Sequence, residues 1–156
     1  MKTFTIEKKM VGSELKVSIS GYIDENAIFL PITETPQSMV IDLGQATGIN
    51  SVGTKNWCKW VQDIRPPTIA SIENCPVIFI KTFNNVIGTL SKNVKIRSFF
   101  VPHLSTDGSG VRKDVLFTLG KEIDASHVIH SPKVFDDNKK EMEMDVLPNF
   151  FNFLKK

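Results

Sequence analysis

The chain has 156 residues, of which 41% are hydrophobic and 23% are charged, and its net charge is +2. This length predicts one domain, or one domain with a small appendage, whose core needs no metal or disulfide for stability. The positive charges do not form a long basic run, which argues against nucleic-acid binding. No apolar stretch is long enough to span a bilayer, and residues 1–3 do not lead into a signal-peptide core. The two cysteines are typical of small buried residues in a reducing cytoplasm.

The first part of the chain predicts a hairpin followed by a short helical turn. Residues 3–9 and 15–19 alternate apolar and polar side chains on either side of Gly12, so they predict two antiparallel strands. The second strand is expected to end at Gly21. Asp24 is then expected to cap a helical turn over residues 26–30.

The stretch from residue 40 to residue 64 predicts a strand that leads into a helix. A short apolar run carries Asp42 and Leu43 at its end, and a tight polar connection leads to Asn50. Apolar residues then recur at helical spacing, at Val52, Trp57, Cys58, Val61 and Ile64. This pattern predicts an amphipathic helix with Ser51 at its start. The amino end of a helix favours negative charge, including phosphate.

The following segment completes the pattern of an α/β domain. Residues 75–80 are a continuous apolar run, which predicts a strand buried on both faces. Thr82 is expected to cap a helix over residues 83–90, and residues 95–101 are expected to form a strand that Pro102 ends. Together these elements predict a mixed β-sheet covered by helices.

After Pro102 the composition changes, so we predict a domain over residues 1–102 and an extension over residues 103–156. Within the extension, residues 114–119 predict a strand and residues 141–145 an edge strand. Residues 146–154 predict a short, strongly apolar helix, which must dock on its own domain or on a second copy. In the second case a homodimer would form through the aromatic residues Phe150, Phe151 and Phe153.

Two phrases of the sequence resemble the STAS domain of anti-sigma-factor antagonists. The first is Ser-Gly-x-Ile-Asp, which ends here at Asp24, and the second is the strand, Asp-Leu and polar-Ser-x-Gly pattern that ends at Gly53. Asn50, Ser51 and Val52 stand where the family usually has Asp, Ser or Thr, and Ser or Thr. By element order the resemblance covers about the first hundred residues, the size of one small domain. It implies a STAS-like sheet with a divergent extension.

The resemblance also implies a bacterial, non-catalytic regulatory protein that needs no cofactor. In that family the serine that opens the helix is often phosphorylated, so Ser51 is either a phosphoacceptor or a plain helix cap. The implied partner is a protein, such as an anti-sigma-type serine kinase. The predicted docking residues are Asp24, Asn50, Ser51, Val52, Gly53, Thr54 and Trp60. Trp60 is either a partly exposed anchor for the partner or a residue that lies over the edge of the core. The alternative is a sensor of a small ligand or nucleotide that uses the same helix start.

Other chemistry is poorly supported by the residue patterns. His127 and His130, near Asp124 and Asp136, lack the ligand number and spacing of a zinc site, so they predict a solvated loop. Cys58 with His103 is not the setting of a reactive thiolate. Pairing of Asp42 with Asp24 or Glu25 for acid–base chemistry is possible in principle, but Asp42 is better explained as the end of a strand.

The extension loosely resembles a small zinc ribbon that follows some STAS domains. No cysteine follows Pro102, so the resemblance implies a β-scaffold that has lost its metal.

Overall fold

A computed structural model describes residues 2–155, and these contain nine strands, two α-helices and one 3-10 helix. The elements in chain order are β1 (Thr5–Val11), β2 (Glu14–Ile23), β3 (Ser38–Ile49), α1 (Ser51–Gln62), β4 (Ile69–Glu73), α2 (Val77–Asn85), β5 (Val94–Ile96), β6 (Ser98–Ser105), β7 (Arg112–Thr118), β8 (Val134–Phe135), β9 (Glu141–Met144) and the 3-10 helix (Pro148–Lys155). The strands form a first sheet, ordered β1-β2-β3-β4-β5, and a second sheet, ordered β7-β6-β9-β8. The class is α/β, as the sequence predicts.

The first sheet is mixed, because β1 is antiparallel to β2 whereas β2, β3, β4 and β5 are parallel to one another. The predicted hairpin is confirmed, and Gly12 takes a positive φ of 62° in its tight turn, where glycine is favoured. In β2, Leu15 and Val17 are buried while Lys16 and Ser18 are exposed, as expected for a strand with one solvated face. One face of the sheet therefore contributes to the core, together with residues of both helices and of the second sheet.

Several predicted boundaries in this region are wrong. The polar connection predicted after Leu43 is strand, because β3 runs on to Ile49 and α1 follows almost directly. The second strand continues past Gly21 to Ile23. Residues 26–30 form no helical turn; Asp24 Oδ1 instead accepts a hydrogen bond from Asn26 N at 2.9 Å, which closes a tight bend.

The apolar run at residues 75–80 is not a strand, because α2 begins within it at Val77. The parallel strand that precedes it is β4, in a segment predicted as loop. Thr82 consequently lies inside α2 rather than at its start, and the helix ends at Asn85 instead of reaching Leu90.

The second sheet is antiparallel, with β6 between β7 and β9. The strand predicted at residues 95–101 is divided at Arg97 into β5 and β6, which belong to different sheets. Pro102 lies within β6 instead of ending it, and its carbonyl accepts a hydrogen bond from Asp145 N at 2.8 Å. The strand predicted at residues 114–119 is confirmed as β7. β9 also forms, although it lies between β6 and β8 and not at the edge.

The two sheets divide at Arg97, five residues before the predicted boundary, and their buried residues form one hydrophobic cluster. The C-terminal segment is a 3-10 helix that docks on its own chain. The rings of Phe99 and Phe153 lie 4.8 Å apart, and Asn84 Nδ2 donates to the Phe150 carbonyl at 2.9 Å. Phe153 is therefore buried within the chain, while Phe150 and Phe151 remain half-buried. A homodimer through Phe150 and Phe151 stays a prediction, whereas Phe153 is buried in its own chain and cannot contact a second copy.

Within residues 2–155, no helix combines the length and the apolar character needed to cross a membrane.

Candidate functional site

Helix α1 begins with a cap made by Asn50. Its Oδ1 accepts a hydrogen bond from Gly53 N, and its carbonyl accepts one from Thr54 N, both at 2.8 Å. The prediction that Ser51 is the cap is therefore wrong. Ser51 occupies the first helical position with an exposed side chain, and among residues 2–155 nothing hydrogen-bonds to its hydroxyl.

The start of α1 is fixed against the end of β2. Asn50 N donates to the Ile23 carbonyl at 3.1 Å. At Gly53 a Cβ atom would lie 2.0 Å from that same carbonyl oxygen, so only glycine allows this approach. Gly53 and Thr54, both predicted to touch a partner, are largely buried and help to hold the first turn of α1 in place.

Both acidic and basic side chains lie near the start of α1. Asn50 Nδ2 donates to Glu25 Oε2 at 2.9 Å, and this hydrogen bond lowers the pKa of the exposed Glu25 carboxyl. Lys55, one turn after Ser51 on the same helix face, is exposed and basic. Asp24 lies next to Glu25, but one of its carboxylate oxygens is occupied by Asn26 N.

Trp60 is 4% exposed, so its predicted role as a partly exposed anchor is wrong. Its Nε1 donates to the Leu30 carbonyl at 2.9 Å, and its ring stacks on Phe29 with centroids 5.3 Å apart. Trp57 packs inward, as predicted, and its Nε1 donates to the Thr89 carbonyl at 3.0 Å. Both tryptophans are thus part of the core.

A groove of about 620 Å³ opens beside Ser51, between α1 and the end of α2. We call it the Ser51 groove; it is lined by Ile49, Asn50, Ser51, Thr54, Lys55, Cys58, Thr82, Val86 and Ile87. Around it, Val52 is 48% exposed and Ile87 is 96% exposed. Val86 and Ile87 belong to the segment, residues 83–90, for which the sequence predicts a helix. They are exposed because α2 ends at Asn85, where Val86 leaves the helical conformation with a φ of −105° and a ψ of 119°.

The cysteines and His103 do not form a nucleophilic site. Cys58 lines the Ser51 groove, half-buried, and burial raises the pKa of its thiol, which makes the thiolate scarce. Cys75 is completely buried, and burial raises the pKa of its thiol strongly. His103 is buried in the second sheet, where its Nδ1 lies 3.0 Å from the Val101 carbonyl.

The four residues considered as metal ligands lie in two separate turns: Asp124, His127 and His130 in one, and Asp136 in the other. His130 Nε2 lies 2.8 Å from Asp124 Oδ2, and this contact is the largest cause of the lowered pKa of the Asp124 carboxyl. Asp136 lies in the turn between β8 and β9. Within residues 2–155, no three His, Cys, Asp or Glu side chains are grouped so as to hold a metal ion.

In the extension, the turn between β6 and β7 meets the turn between β8 and β9. The Ser105 hydroxyl lies 2.9 Å from Asp107 Oδ1 and 3.2 Å from Asp136 Oδ2, so it joins the two turns. Asp136 Oδ1 also accepts hydrogen bonds from Asn138 N and Lys140 N, each at 2.9 Å. The side chain of Ser105 therefore links the two turns, and hydrogen bonds from backbone amides to Asp136 order the second of them.

Comparison with protein-family models and with curated proteins gives no match for this sequence.

Proposed function

We propose that the chain is a non-catalytic regulatory module of the cytoplasm, STAS-like in its first sheet, that binds a protein partner at the Ser51 groove. The partner class is an anti-sigma-type serine kinase, and Ser51 is its phosphoacceptor. The observation that carries the proposal is the exposed Ser51 hydroxyl in the first turn of a helix whose capping is already provided by Asn50.

The position of Ser51 supports phosphorylation for a physical reason. Since Asn50 satisfies the Gly53 amide, modification of Ser51 would not remove the helix cap. The amino end of α1 and the basic Lys55 favour a negative charge there. Glu25 opposes it, because its carboxylate already lies at the helix start. A phosphate would therefore alter the charge of the exposed surface more than the stability of the helix.

The apolar border of the groove supports docking of a protein. Val86 and Ile87 line the groove with exposed apolar side chains, and exposed apolar clusters of this kind mark interaction sites. Val52, next to Ser51 in the chain, exposes a further apolar side chain. From the predicted docking set, the buried Trp60 and Gly53 do not line the groove and leave it. The other members, Asp24, Asn50, Ser51, Val52 and Thr54, remain in the set. Adding a phosphate to this apolar contact would weaken binding, because the charge must be desolvated.

The test of modification uses purified protein incubated with anti-sigma-type serine kinases. We expect one phosphoryl group, located at Ser51 by mass spectrometry and absent from Ser51→Ala. Ser126→Ala, an exposed serine in the extension, is the matched control and should be modified like the unaltered protein. Phosphorylation elsewhere, or none with any such kinase, would contradict the phosphoacceptor assignment.

Docking is tested separately with the same kinases by a binding titration. Ile87→Asp should weaken binding by about tenfold or more, because it puts a charge into an apolar contact. Ile69→Asp is the control, since Ile69 is 63% exposed at the beginning of β4, the opposite end of the sheet from the groove. Equal effects of the two changes would place the interface elsewhere.

The alternative function, sensing of a small ligand or nucleotide, is favoured by the size of the Ser51 groove, which lies within the usual range for ligand pockets of about 300–1,000 Å³. Stabilisation by a nucleotide in a thermal-shift screen, without binding of any kinase, would favour the sensor.

A further inference from the structure

A second cleft, of about 410 Å³, lies where the first sheet meets the extension. We call it the α2 cleft. It is formed by α2, the middle of β6, the first residue of β7 and the start of the C-terminal segment, and its defining residues are Ile80, Lys81, Arg112, Asp145, Leu147 and Phe150. Thr82 faces the Ser51 groove while Lys81 faces this cleft, so α2 forms a wall of both.

The walls of the α2 cleft are held in place by hydrogen bonds to backbone carbonyls. Asn84 Nδ2 donates to the carbonyls of Asn149 and Phe150, at 3.3 and 2.9 Å. Asp145 N donates to the Pro102 carbonyl at 2.8 Å on another side. The cleft is therefore a built part of the fold, as ligand sites usually are.

The surface of the cleft is apolar at its base and cationic at its border. Among the lining residues, Val146 and Phe150 are half-buried, whereas Leu147 is 73% exposed and keeps an apolar side chain in water. Lys81 and Arg112 are exposed bases. The Nε of Arg112 lies 3.4 Å from Asp114 Oδ1 in an exposed pair, which leaves the terminal nitrogens of its guanidinium for another acceptor.

We propose that the α2 cleft binds an amphipathic organic monoanion, with an aliphatic body and one carboxylate head. The body would pack on Val146, Leu147 and Phe150, and the head would accept hydrogen bonds from Arg112 and Lys81. Asp145, the one acidic residue lining the cleft within residues 2–155, disfavours a second negative charge on the ligand. This site is independent of the proposed docking at Ser51.

The experiment is a titration of ¹⁵N-labelled full-length protein with sodium octanoate, followed by amide chemical shifts. Saturable shifts are expected in residues 77–85 and 145–150. Butyrate, with too short a body, should not saturate, and 1-octanol, without the charge, should bind about tenfold more weakly. Saturable shifts confined to residues 49–58, or no saturation, would overturn the proposal.

Variants separate the cleft from general attraction of an anion to a basic protein. Arg112→Gln should weaken octanoate binding by about tenfold, because a charge-assisted hydrogen bond is lost. Lys113→Gln is the matched control: it removes the same charge from the neighbouring exposed residue, whose side chain points to the other face of β7. Leu147→Asp should abolish binding without unfolding, since Leu147 is largely exposed. Equal affinities of the Arg112 and Lys113 variants would overturn the assignment.

Discussion

The two sheets are stabilised by different means. In the first sheet, the parallel strands and both helices bury large apolar side chains such as Ile41, Trp57 and Phe79 completely. In the second sheet, Phe99 and Phe117 join the same core, but its two turns depend on the Ser105, Asp107 and Asp136 hydrogen bonds. Apolar burial is not sensitive to pH, whereas carboxylate hydrogen bonds are lost when the carboxylate is protonated. Changes in the core should thus affect the whole molecule, and changes in the turns mainly the extension.

The largest expected effect comes from Trp57→Ala. Trp57 is fully buried, contacts the rings of Trp60 and Phe83, and donates to the Thr89 carbonyl. Its truncation should lower the free energy of unfolding by about 3–5 kcal/mol, as for other buried aromatic residues. Urea denaturation followed by circular dichroism measures this, with the exposed Lys59→Ala as control. Because the core is shared, amides of β7 should lose protection from hydrogen exchange too; unchanged β7 protection would show that the two sheets unfold independently.

A smaller and more local effect is expected for Asp136→Ala. The substitution removes the acceptor of the Asn138 and Lys140 amides and the partner of Ser105, at a cost of about 1–3 kcal/mol. The neighbouring Asp137 is exposed, so Asp137→Ala is a matched control. Hydrogen exchange should accelerate in residues 134–144 and not in α1. Acceleration throughout α1 would mean that the turns are as important to the first sheet as the core is.

The smallest expected effect is on the stability of the protein at low pH. Hydrogen bonds from Ser109, first its side chain and then its backbone N–H, and from Ser105 lower the pKa of Asp107 to about 2, from an ordinary value of 3.8. A folded-state pKa below the unfolded one contributes stability above about pH 4, which is lost as the pH falls towards 2. Asp107→Asn should therefore reduce the pH dependence of the urea midpoint between pH 4 and pH 2. Asp137→Asn is the control, and identical slopes for the two variants would refute the role of Asp107.

The sequence was sufficient to predict elements whose pattern has only one physical solution. The alternation around Gly12 specified a hairpin, and the helical spacing of Trp57, Cys58 and Val61 specified α1. An unbroken apolar run such as residues 75–80 has no such pattern, so it fits a buried strand or a buried helix equally well. Because of this ambiguity, the predicted strand stood where α2 begins, β4 was missed and the predicted helix was placed too late in the chain. The exposure of Ile87 was missed for the same reason.

The candidate site was only partly predictable for a related reason. The place of Ser51 at a helix start follows from the pattern. Which residue caps the helix depends on the backbone conformation of Asn50, which sequence spacing does not reveal. The burial of Trp60 depends on Phe29 and Leu30, from a loop thirty residues earlier that covers it. Helical periodicity describes one helix and cannot account for such distant contacts.

The close contact of Gly53 with Ile23 has a consequence for recognition. At Gly53 the backbone of α1 contacts the end of β2 directly, so the first turn of the helix has no space to move towards the strand when another molecule binds. A molecule that contacts Ser51 meets a surface that is already in its final conformation, so little configurational entropy is lost on association. This rigidity is a form of preorganisation, provided by the absence of a single methyl group.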